Sequence, residues 1–117
     1  MGLAIALALA VSLGAWLILR PVSPVTVVVR NGTTKPIASV RLEHERGVEI
    51  LENLAQGEAR TIRFRAGGET SYKLRVHFVD GSELSGGARY AEDGYSFTET
   101  VGEASIATDT RLPASYY

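Results

Sequence analysis

His44 stands between Glu43 and Glu45, and His77 falls two positions after Arg75 in a run of alternating polar and apolar residues. An imidazole flanked by carboxylates has the composition of a metal site or a general-base pair. Period-two alternation separates the two histidines, however. His44 shares a face with Val40 and Leu42, whereas His77 shares the outward face of Arg75. A tetrahedral site would have to borrow ligands from elsewhere, so both are expected to be solvated histidines at strand ends. The carboxylates fall almost entirely at turns or outward strand positions, where solvation leaves their acidity ordinary. Serines and threonines are scattered, with no G-x-S-x-G elbow. Gly67-Gly68 and Gly86-Gly87 lack the spacing and the following lysine of a phosphate loop, and read as turns or bulges. Asn31-Gly32-Thr33 fits the glycosylation sequon, yet an Asn-Gly turn explains it without a sugar. The chain has no cysteine, which removes disulfides, thiolate zinc sites and cysteine nucleophiles. The expectation is a protein that is not an enzyme, with no cofactor, no metal and no small-molecule substrate.

Charge suggests contact rather than catalysis. Twelve basic residues face thirteen acidic ones, so nothing global points to nucleic acid. Arg41, Arg63, Arg65, Lys73 and Arg75 all occupy outward strand positions. If their strands are neighbours in one sheet, they form a basic face. Such a face could rest on anionic headgroups, at about 1 kcal/mol per cation near the surface, or dock on an acidic protein surface. The plainer reading is a set of solvated strand faces that keep the domain soluble. Tyr90 and Tyr95 flank a turn, where they could serve as contact aromatics or plug the end of a domain.

The elements that must position these residues begin with an apolar run. Leu3 to Leu19 contains nothing more polar than Ser12 and Gly14, and Arg20 and Pro21 close it. At about 1.5 Å per residue it reaches roughly 25 Å, within the range of a spanning helix. Trp16 and Arg20 suit the headgroup region at its end. No Lys or Arg precedes the run and no small-x-small cleavage site follows it, so residues 1–20 are expected to be a retained transmembrane anchor. Gly2, Ala6, Ala10 and Gly14 recur every four residues, a stripe of small side chains along which another helix could pack closely. Counting Arg20, Arg30 and Lys35 by the positive-inside rule puts the following domain in the cytoplasm. A two-residue tail ahead of the span favours the opposite orientation, and the expectation is an inner-membrane protein with its domain on the extracytoplasmic side.

Residues 21–24 form a stiff, proline-bounded linker, residues 25–112 a β domain and residues 113–117 a loose tail. Strands are predicted over 25–30, 37–43, 48–51, 59–65, 72–78, 83–90, 95–101 and 103–108, with a bulge at Gly86-Gly87. Turn signals every 8 to 12 residues suit a small antiparallel β-sandwich. Three features carry a resemblance: the valine-rich first strand ending in Asn31, the Leu54 to Glu58 turn, and the Tyr72-x-Leu74-x-Val76-x-Phe78 strand before Asp80-Gly81. From about Val25 to Thr108 the chain resembles the immunoglobulin-like domains that bacteria hang on membrane anchors. The resemblance implies a fold and no activity. Anchor and domain together point to an accessory subunit or assembly factor of a larger membrane complex, with an integral-membrane partner or a second copy held through the helix. The other reading is a free-standing tethered module that captures a peptide, a glycan or anionic lipid headgroups.

Overall fold

The computed structural model describes residues 23–114. Eight strands follow in order: β1 (Val25–Asn31), β2 (Ile37–His44), β3 (Gly47–Leu54), β4 (Ala59–Phe64), β5 (Thr70–Phe78), β6 (Glu83–Ala91), β7 (Ser96–Val101) and β8 (Ile106–Arg111). They form two four-stranded sheets, ordered β4-β1-β7-β8 and β3-β2-β5-β6. The domain is therefore mostly β and sandwich-like. Five of the six strand pairings are antiparallel, and β1 with β7 is parallel. The helix expected over residues 1–20, with its stripe at Gly2, Ala6, Ala10 and Gly14 and its interface residues Trp16 and Arg20, lies outside the described residues. Among the described residues no helix is long and apolar enough to cross a membrane.

Alternation builds the core. Val25, Val27 and Val29 point inward at zero exposure, and Val40, Leu42, Leu74 and Val76 answer them from the second sheet. β-Branched side chains suit this role because their stiff χ1 packs well on a pleated surface. Phe64, Tyr72, Phe97 and Tyr95 continue the interior as a chain of ring contacts, with centroids 5.2–6.3 Å apart.

The Asn-Gly signal after β1 does turn the chain, but it sends it to the other sheet instead of closing a hairpin. Asn31 is fully buried. Its Nδ2 donates to the carbonyls of Lys35 (2.8 Å) and Leu54 (3.2 Å), and its Oδ1 accepts from Thr33 N (3.0 Å). Its backbone takes the Gly57 N–H and gives its own to Glu58. One side chain thus ties together the β1–β2 and β3–β4 crossings. It also leaves no exposed amide for a sugar, since the residue has no solvent-accessible surface.

The strand ends differ from the expectation, most at β3, which runs on to Leu54, and at β8, which is displaced by three residues. The last strand starts at Ile106, because Gly102 to Ser105 close a turn through Gly102 N to Ser105 O (2.8 Å). The irregularity in β6 falls between Ala88 and Ala91, where one extra residue opposes β5, and not at Gly86-Gly87. Those glycines answer a different demand. A Cβ on Gly87, whose φ is +130°, would lie 2.2 Å from the Tyr72 carbonyl oxygen. One on Gly86 would lie 2.9 Å from Ile106 Cβ. The missing side chains let β6 close down on β5 and on β8 of the facing sheet.

Candidate interaction face

Registers place the outward residues of the second sheet in three cross-strand rows. Val48, Glu43, Lys73 and Gly87 form one. Ile50, Arg41, Arg75 and Ser85 form the next, and Glu52, Ser39, His77 and Glu83 the third. Arg41 and Arg75 are direct cross-strand partners, a like-charge pairing that costs stability unless something intervenes. Glu43 intervenes. Its Oε1 lies 2.9 Å from Arg41 Nε and 3.8 Å from Arg75 Nε. His77 faces Glu83 at 3.8 Å.

The condition for a single basic face, that its strands share one sheet, is not met. Arg41, Lys73 and Arg75 share this surface, but Arg63 lies on β4 in the other sheet, in register with Thr26, and Arg65 follows it. Outward alternation is identical in both sheets, so the pattern could not say which sheet β4 joins. The three cations are also matched on their own face by Glu43, Glu52 and Glu83. What stands out instead is apolar: Val48 is 42% exposed and Ile50 57%, side by side on the edge strand β3.

Beyond the row ending at Gly87 the surface dips into an open groove of about 640 Å³, bordered by Glu43, Glu45, Ser71, Lys73 and Arg89. Cations and carboxylates alternate around it, which favours no one ligand charge.

The histidines separate as expected, but His44 is not solvated. Its side chain is 5% exposed, and its ring stacks on Phe64 with centroids 4.1 Å apart. Arg46 N–H points at Nδ1 (3.3 Å), which makes Nδ1 the acceptor and leaves Nε2 carrying the proton toward Glu49 (3.5 Å). Glu43 lies on the opposite side of the strand, so the sequence neighbour never meets the imidazole. Among the described residues no three His, Asp or Glu side chains come together as a metal site. Of the two tyrosines, Tyr95 is buried at 8% exposure and belongs to the core, while Tyr90 stays exposed against it and donates to Glu92.

The residue missed from sequence is Glu99. It is fully buried on β7, where Oε1 accepts from the Tyr72 hydroxyl (2.6 Å) and Oε2 from the Thr108 hydroxyl (2.8 Å). Burial raises its pKa above the ordinary carboxylate value, and the two hydroxyls oppose that rise. Burial and the adjoining carboxylate push the Tyr72 phenol up as well. The signal was present: Phe97, Glu99 and Val101 have the same parity, so a carboxylate alternates with two core residues.

No protein-family profile matches the chain, and no curated protein shows significant similarity to it. Solved structures do match. One is an NMR structure of a protein from Eubacterium rectale, similar over 79% of this chain and 92% of that one, with a TM-score of 0.57 and 11% identity. At that identity the likeness speaks to the fold alone.

Proposed function

We propose that this chain is a non-catalytic interaction protein, an accessory subunit or assembly factor held in a bacterial inner membrane by residues 1–20. The observation that supports it best is the pair Val48 and Ile50, exposed together on an edge strand beside the Arg41–Glu43–Arg75 cluster. Edge strands in stable monomers are kept charged or covered, and apolar residues left there favour association. A protein surface suits this face better than anionic headgroups, because Arg41, Lys73 and Arg75 are offset by three carboxylates in the same rows. The sandwich is taken as immunoglobulin-like in architecture only. The first two strands of an immunoglobulin domain share a sheet, whereas β1 and β2 here do not.

The small-residue stripe at Gly2, Ala6, Ala10 and Gly14 supplies the second contact, against a helix of the integral-membrane partner. The test is co-purification of the full chain from native membranes in mild detergent. A partner protein should accompany the wild type, and Ile50→Glu should release it while the circular dichroism of the domain stays unchanged. Ala10→Leu should weaken the same complex. Equal recovery of the partner with both variants would contradict the reading.

A further inference from the structure

The two long sides of the sandwich are finished differently. On one side β6 and β8 close on each other, with Ile106 pressed on Gly86 and the Thr108 hydroxyl 3.5 Å from the Gly87 carbonyl. On the other side lie β3 and β4, the outer strands of their sheets, and among the described residues no strand pairs with either free edge. Among the described residues Arg60 bridges them by hydrogen bonds, donating from Nη1 to the Glu52 carbonyl (2.6 Å) and from Nη2 to that of Asn53.

Backbone direction follows from these bonds. The Glu52 carbonyl points away from β2, and period-two alternation turns Ile50 and Val48 the same way. On β4 the Glu58 carbonyl accepts from Asn31 of β1 (2.9 Å), so Arg60, Ile62 and Phe64 turn toward β1. Thr61 and Arg63 then face the open edge. On both strands the residues whose backbone groups turn to the open edge carry outward side chains, so one edge could continue the other without reversing its faces. The charges are complementary. On the outward side β3 carries Glu52 and β4 carries Arg63, followed by Arg65, whereas Arg60 is already paired with Glu58 (3.2 Å) and Glu49 lies against His44.

We propose that two copies of this chain pair through this side, β3 of each adding to β4 of the other about a two-fold axis parallel to the strands. The strand directions allow it. Arg60 lies against Glu52 while Phe64 stacks on His44 beside Glu49, so β3 and β4 run oppositely and each new pair is antiparallel. An axis along the strands also keeps both amino-terminal ends at one end of the dimer, as two anchors in one bilayer require. That last point rests on the membrane-anchored reading above, whereas the edge complementarity does not.

The experiment is sedimentation of the full chain in detergent. The wild type should be a dimer, and Glu52→Arg or Arg63→Glu should each weaken it about tenfold. The two changes together should restore it to within about threefold of wild type, a rescue that misfolding could not produce. In Ile50→Cys plus Thr61→Cys, the only cysteines would point out of opposite faces of one chain, and a short bis-maleimide should give a covalent dimer. A monomeric wild type would overturn the proposal. So would a dimer indifferent to both charge reversals, or one lost only in Gly14→Leu. Capture of a membrane partner by a monomeric chain would sink the dimer and leave the interaction reading standing; a dimer without a partner would do the reverse.

Discussion

Glu99 sits among valines and aromatic rings with two hydroxyls for company, and its titration should be visible in the stability of the domain. Its folded pKa is raised, so the folded state holds the proton more tightly than the unfolded chain, whose value is near 4.5. Stability contributed by this group is therefore full below that value and is lost as pH rises through the folded pKa. Asp80 has the opposite sign. The Ser82 hydroxyl and N–H, then Lys35, hold its carboxyl down at about 2, so its contribution is lost only as pH falls toward that value. Chemical denaturation from pH 4 upward should show wild type losing stability relative to Glu99→Gln, since the amide cannot titrate. A pH-independent difference between the two would contradict the assignment. Tyr72→Phe should cost about 1–3 kcal/mol by leaving a buried carboxylate oxygen without its donor, and should raise the Glu99 pKa further. Parity alone would have placed Glu99 inside, between Phe97 and Val101. Strand carboxylates are ordinarily outward, which hid it, as the composition around His44 hid a ring that packs on Phe64.

At the scale of elements, strands and turns were legible because alternation and Gly or Asn punctuation mark them directly. Sheet membership was not. β4 alternates Thr61, Ile62, Arg63 and Phe64 much as β5 alternates Lys73, Leu74, Arg75 and Val76, yet the crossings that Asn31 ties together leave them in opposite sheets. The basic face divided for that reason. What replaces it is a cross-strand arginine pair dependent on one carboxylate. Glu43→Gln should destabilise the domain by about 0.5–1 kcal/mol, more than neutral changes at exposed positions do, and high salt should reduce the difference. Gly87→Ala should cost more, about 2–3 kcal/mol, because its Cβ would meet the Tyr72 carbonyl and its φ of +130° excludes ordinary side chains. Urea unfolding at pH 7 would read both differences. A Gly87→Ala variant as stable as wild type would show that β6 does not need this close approach to β5.

For the whole molecule, a greasy leading segment precedes a sandwich with one closed side and one where, among the described residues, Arg60 bridges the two outer strands. Function was less legible than fold, because contact surfaces have no motif: Val48 and Ile50 read as ordinary strand residues until the edge they occupy is known. The claim everything else depends on is that this edge is covered when the chain is assembled. Hydrogen exchange of the full chain in membrane nanodiscs tests it most directly, comparing the assembled protein with the Ile50→Glu form. The backbone amides of Val48 and Ile50 should exchange at least about tenfold more slowly in the assembly, while those of β6 are unchanged. Equal exchange at β3 in both would contradict it.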